Sequence, residues 1–123
     1  MPIDNILTKE DIANTGDREM KQVEVEEWGG TVCLKELDGL GRDAFEKDVT
    51  ARQGENKSFD ITGLRTKLLS LVICDIVGEL LFAGAEGVEI LNGKSAKVIA
   101  RLFEIAQKMN NIGEEALEEA EKN

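Results

Sequence analysis

The sequence contains no histidine and no tyrosine, and only one proline, one tryptophan and two cysteines among 123 residues. Without histidine the commonest general base and metal ligand is missing, so Cys33, Cys74, Ser58, Ser70 and Ser95 have no imidazole to activate them. A serine–lysine or carboxylate site stays open in principle. With 25 acidic side chains, however, close acidic pairs arise by chance. The reading is a non-enzyme with no cofactor and no metal site. Cys33 and Cys74 lie 41 positions apart in apolar patterns and read as reduced core thiols, small hydrophobes rather than a staple. No apolar run approaches the length of a membrane span. The start, MPIDNILTKED, has neither a basic block ahead of an apolar one nor a cleavage pattern, so no membrane partner and a cytoplasmic location are expected.

What is present is a chain of one-domain length, 41% hydrophobic and 33% charged, with a net charge of −10. The charge is uneven. Residues 1–27 carry eight acidic and three basic side chains, residues 114–123 carry five and one, and the long middle is close to neutral. Acidic ends repel phosphate backbones, which argues against nucleic acid and for a basic or aggregation-prone partner.

Thr8-Lys9-Glu10-Asp11 has capping-box spacing and predicts a short helix over Lys9–Ala13, followed by loop from Asn14 to Lys21. Two strands then flank Gly29-Gly30. Pairing them across that dipeptide sets Trp28 opposite Thr31 and Val25 opposite Leu34. Val23, Val25, Val32 and Leu34 then share one face, and Glu24, Glu26, Cys33 and Lys35 the other. Asp38 reads as an N-cap, and Leu40, Ala44, Phe45 and Val49 form the apolar side of a short helix. Arg52–Ser58 reads as polar loop. Leu64–Ile76 reads as a central helix, with strand an open alternative for LVICDIV. Gly78 marks a turn, Glu86–Leu91 a short helix, and Ser95 the cap of a helix lined by Val98, Ile99, Leu102, Phe103, Ile105, Ala106 and Met109. Gly113 ends or kinks that helix, and the acidic EEALEEAEKN forms a frayed helix or tail, since ten residues do not hold a helix alone. The expected class is α+β: a mainly α-helical small domain with an N-terminal β-hairpin. It divides into a flexible segment 1–21, a hairpin-plus-helix domain 22–113 and an acidic end 114–123.

Gly39-Leu40-Gly41-Arg42-Asp43-Ala44 satisfies G-x-G-x-x-A between strand and helix, as in a dinucleotide fingerprint. The preceding strand belongs to an antiparallel pair and alternates in polarity, and Asp38 sets a negative charge where a pyrophosphate would sit, so a capped turn is the better reading. Asp75–Glu79 matches a calcium loop only in having an acidic residue and a glycine. Trp28 either closes one end of the core or serves as a surface anchor.

The run EVEVEEWGGTVCLKELDGLGRDAFEKDV, with ICDIVGELLF and KSAKVIARLFEIAQKMNNIGEEALEEAEKN, resembles the small tail assembly chaperones of long-tailed bacteriophages and prophages, over about residues 22–123. The resemblance implies a non-enzymatic protein that binds and solubilises the tape measure protein in the host cytoplasm, helps recruit tail tube protein, and is absent from the mature virion. Candidate protein-binding residues are Trp28, Gly29, Gly30, Phe45, Leu102 and Phe103, and homo-oligomers are expected through the hairpin edge and Trp28. The resemblance also implies programmed frameshifting: Glu121-Lys122-Asn123 can be encoded GAA AAA AAC, which contains a slippery heptamer. A solvated polar tail is the alternative reading of that tripeptide. Other readings of the whole chain are an acidic mimic that inhibits a basic host protein and a small dinucleotide-binding protein.

Overall fold

Helical periodicity is strongest near the end of the chain, and that is where the core is anchored. The computed structural model describes residues 6–53 and 63–112. Its elements are α1 (Lys9–Ala13), β1 (Met20–Val25), β2 (Gly30–Lys35), α2 (Gly39–Gln53), α3 (Leu64–Ser70), β3 (Ile73–Cys74), α4 (Ala85–Asn92) and α5 (Ala96–Met109). The three strands form an antiparallel sheet in the order β1-β2-β3, which with the helices makes an α+β fold.

α5 buries Val98, Ile99, Leu102, Phe103, Ala106 and Gln107 along one stripe, with Ile105 and Met109 half-buried at its margin. α3 packs against α5 and α4, burying Leu64, Leu68 and Leu69. The inner face of the sheet adds Val25, Leu34 and Ile73, and α2 adds Phe45 with Val49 at the edge. Leu40, expected on the apolar side of α2, is 79% exposed in its first turn. Asp38 caps that helix as the sequence indicates, its Oδ1 accepting from the Gly41 amide at 2.7 Å. The helix also runs on through Arg52 and Gln53, so the expected loop loses its first two residues and the rest lies outside the described residues.

The strand pairing differs from the sequence reading. Val25 pairs with Gly30, not Leu34, and Glu24 pairs with Thr31, a displacement of four residues. The connection is not a two-residue Gly-Gly turn. Glu26–Trp28 forms a single 3₁₀ turn closed by Gly29 at φ 76°, and Gly30 is already strand. Because the displacement is even, it leaves the side chains that stay in the ladder on their expected faces, while Glu26 and Trp28, expected in the strand, pass into the turn. The strand also starts at Met20, inside the expected loop.

Two further elements depart from expectation. The apolar segment Leu64–Ile76 is helical only to Ser70. The amides of Leu71 and Val72 bond to Leu68 and Leu69, and the β-branched Val72 and Ile73 then feed β3, whose ladder includes the Lys35 amide donating to Val72 O at 2.8 Å. α5 ends before Gly113. Asn111 takes the left-handed conformation at φ 52°, the Ile112 amide reaches back to Gln107 O at 3.0 Å and the Asn111 amide to Lys108 O at 3.3 Å. This is a Schellman closure built on asparagine, with Ile112 returned to the core. Gly113 and the acidic end lie outside the described residues.

The capping box of α1 is formed in both directions: Thr8 Oγ1 accepts from the Asp11 amide at 3.2 Å, and Asp11 Oδ2 accepts from the Thr8 amide at 2.9 Å. α1 nevertheless buries no residue. α4 forms as expected, and Ser95 stands at the N-cap of α5 without a side-chain capping bond.

Candidate functional site

The connection between β1 and β2 sets three of the six candidate residues at one end of the sheet. Trp28 is half-buried and packs on the edge of the core, while Gly29 and Gly30 are exposed beside it. The turn is tied to α5 by a two-pronged ion pair, Arg101 Nη2 donating to Glu27 Oε1 at 2.8 Å and Nη1 to Oε2 at 3.1 Å. Those hydrogen bonds lower the Glu27 carboxyl to about 2, helped by its backbone bond and by the nearby positive charges. The other three candidates are core residues: Phe45 is 2%, Leu102 0% and Phe103 7% exposed, with the Arg65 guanidinium 5.6 Å from the Phe103 ring centre.

The outer face of the sheet holds a feature that the sequence did not suggest. Strand alternation sets Met20, Gln22 and Glu24 of β1 beside Thr31, Cys33 and Lys35 of β2 on this face. Beyond β3 the chain turns back on itself. Asp75 Oδ1 accepts from the Val77 and Glu79 amides at 2.9 Å each, Gly78 takes φ 91°, and Leu80 bridges to Cys74. Between this hairpin and β1 lies an open cavity of about 330 Å³ lined by Met20, Gln22, Thr31, Cys33, Cys74, Asp75, Ile76 and Leu81.

At the floor of that cavity the two cysteines, read from sequence as separate core thiols, stand directly opposite each other across β2 and β3. Both are free, Cys33 half-buried and Cys74 buried. Burial pushes the Cys74 thiol up to about 11, and a hydrogen bond with Cys33 adds to the effect. Cys74 is therefore not an activated nucleophile.

A second cavity, of about 500 Å³, lies between α3, α4 and the start of α5, with Arg65 and Lys94 on its wall. Its polar floor is self-satisfied, Thr66 Oγ1 bonding to Asn92 Oδ1 at 2.6 Å. The G-x-G-x-x-A run opens α2 under the Asp38 cap, after a strand paired antiparallel on both sides, a context unlike that of a dinucleotide site. Among the described residues no group of three or more His, Cys, Asp or Glu side chains could hold a metal ion.

Asn110 is the buried residue that sequence reading missed. Its Oδ1 accepts from the Leu37 amide and its Nδ2 donates to Ala106 O, both at 2.8 Å, while Arg42 donates to its carbonyl at 2.7 Å. It joins the end of α5 to the β2–α2 connection and so fixes the sheet against the helices.

No protein-family model matches this sequence, and no curated protein matches it either. Among solved structures, the chain is similar to that described as "Structure of bacteriophage HK97 tail assembly chaperone", with a TM-score of 0.58 and 22% identity. The match covers 85% of this chain and 95% of that one. At that identity the likeness is one of fold: the chain has the fold of a phage tail assembly chaperone.

Proposed function

We propose that this protein is a non-enzymatic tail assembly chaperone that binds and solubilises a tape measure protein in the host cytoplasm, helps recruit tail tube protein, and leaves before the virion is complete. The observation that carries the reading is the shared fold, which spans nearly the whole of the HK97 tail assembly chaperone chain. Two physical features support it. The net charge of −10 keeps a client-laden chaperone soluble. The outer face of the sheet also exposes apolar side chains around a shallow cavity that an extended client could engage repeatedly, at modest affinity per site. β1 is an edge strand, which offers a route to lateral self-association along such a client.

Co-expression tests the reading. A long helical tape measure protein from the same phage or prophage should move into the soluble fraction and co-purify with this chain. If the long protein stays insoluble and neither protein captures the other, the reading falls. Light scattering over a concentration series tests self-association, and a strict monomer at millimolar concentration would exclude it. The codons for Glu121-Lys122-Asn123 test frameshifting: GAG or AAG there, or an early stop in the −1 frame, would refute slippage at this site.

A further inference from the structure

Half of the exposed large apolar residues cluster in one place. Of the ten large ones among the described residues, Met20, Ile76, Val77, Leu80 and Leu81 all belong to the sheet margin and hairpin around the outer-face cavity. Ile76 is 88% and Val77 74% exposed. The fold does not require them to be apolar, because the turn is shaped by the Asp75 carboxylate and by Gly78, and polar residues at 76 and 77 would serve that geometry equally well. Solvent-facing isoleucine and valine in a polar turn point to a partner.

The rim adds charge. Glu24 neighbours Thr31 on the same face, and Asp75 and Glu79 stand in the hairpin. The single lysine on that face of β2, Lys35, has its ammonium turned onto the Gly78 carbonyl at 3.5 Å. The floor runs across three strands, a span of about two interstrand spacings or ~10 Å, close to the diameter of a helix. β2 is paired with β1 along its whole length and with β3 at Cys33 and Leu34, and its alternate side chains stand on the face that meets the occupant.

We propose that the outer face of β1–β2–β3, between Met20 and the Ile76–Leu81 hairpin, is the docking site for an amphipathic helix whose apolar stripe is flanked by lysine or arginine. Ile76 and Leu81 are the anchors, and Glu24, Asp75 and Glu79 meet the basic flanks. That the natural occupant is a tape measure helix rests on the chaperone reading. The chain's own α1 is a poorer fit, because Glu10 and Asp11 in its first turn would bring like charge to an acidic rim.

The test uses the full chain and two labelled synthetic helices sharing one leucine stripe, flanked by lysine in one and by glutamate in the other, followed by fluorescence anisotropy. The lysine peptide should bind at least about tenfold tighter and weaken as salt rises. A central proline in that peptide should abolish binding, and Ile76→Asp/Leu81→Asp should reduce it at least about tenfold. Amide shifts of the unmodified chain on titration should map to Gln22, Thr31, Cys33, Ile76 and Leu81, a readout independent of whether the double variant folds. Equal binding of both peptides, survival of binding with proline, or shifts mapping elsewhere would overturn the proposal. So would a wild-type dimer that dissociates in the Ile76→Asp/Leu81→Asp variant, which would make a second copy the occupant. In co-expression, a variant that still solubilises the long protein as well as wild type sinks this site and leaves the chaperone reading standing. Failure of wild type itself sinks the reading, and the peptide titration then decides the site alone.

Discussion

Replacing Asn110 by alanine removes two buried hydrogen bonds of 2.8 Å at the junction of α5 with the β2–α2 connection. The two losses are unequal. The Ala106 carbonyl keeps the Asn110 amide as a donor at 3.2 Å, so on that side only the net worth of one bond is lost, about 0.5–1.5 kcal/mol. The Leu37 amide loses its side-chain acceptor in a buried setting, which costs about 1–3 kcal/mol. Partial access of water to the vacated space offsets some of this, and the expected loss is about 2–3 kcal/mol. With an unfolding entropy of about 2.1 cal/mol/K per residue over a chain of this length, Tm should fall by about 8–12 °C. Urea denaturation with an unchanged m-value measures the loss, and hydrogen exchange should show the Leu37 amide losing its protection. A loss below about 0.5 kcal/mol, or a Leu37 amide that stays protected, would refute the role assigned to Asn110.

Gly87→Ala drives a Cβ into the Phe82 carbonyl group, which is backbone and cannot swing aside, so it should destabilise by about 2 kcal/mol or more, and an unchanged melt would contradict that packing. At the β1–β2 turn the requirement for glycine rests on Gly29 alone: Gly29→Val should cost about 1–3 kcal/mol in thermal unfolding and Gly30→Val much less, and equal losses would contradict the turn geometry. The Glu27 carboxyl is depressed from 4.5 to about 2, so its contribution to stability is present above pH ~4.5 and lost as pH falls through ~2. NMR titration should show that low midpoint, returning toward 4.5 in Arg101→Gln; an unshifted midpoint in wild type would exclude the ion pair in solution. Iodoacetamide at pH 8 should label Cys33 before Cys74, whose thiolate fraction at a pKa near 11 is only about a thousandth, and equal rates by peptide mapping would contradict the burial described.

The elements that sequence made legible are those whose signals are local. Thr8 and Asp11 specify a capping box within four residues, Asp38 caps α2, and the stripe of α5 repeats often enough to fix both its face and its period. Gly29-Gly30 misled because the dipeptide fits a two-residue turn, whereas Glu26–Trp28 can wind one 3₁₀ turn and use only the first glycine. The break after Ser70 was ambiguous because Leu71–Cys74 is apolar whether it continues α3 or joins β2. Gly113 drew the helix end away from Asn111, which also tolerates the left-handed conformation. The outer-face cavity and the facing cysteines were not legible at all, since both come from a pairing between distant segments that no short window contains. Asp75 with Gly78 three residues on was the one available signal for the hairpin that borders the cavity.

The way β3 is recruited sets an order on how the molecule assembles. Val25 and Gly30 are five residues apart, whereas Cys33 and Cys74 are forty-one apart with α2 and α3 between them. Closing the longer loop costs about 2 kcal/mol more in chain entropy on the (3/2)RT ln n scale, and only two residues of ladder repay it directly. The β1–β2 ribbon is therefore expected among the short-range contacts that form early, with β3 added to it later. In the native state Ile73 and Cys74 are held by burial, whereas the 75–81 hairpin, which exposes Ile76, Val77 and Leu81, opens more readily than the strand that it follows. The rim of the outer face is thus less protected than its floor, and a helix seated on it would be felt as slowed exchange of the Ile76–Leu81 amides before any change in the melting of the helical core.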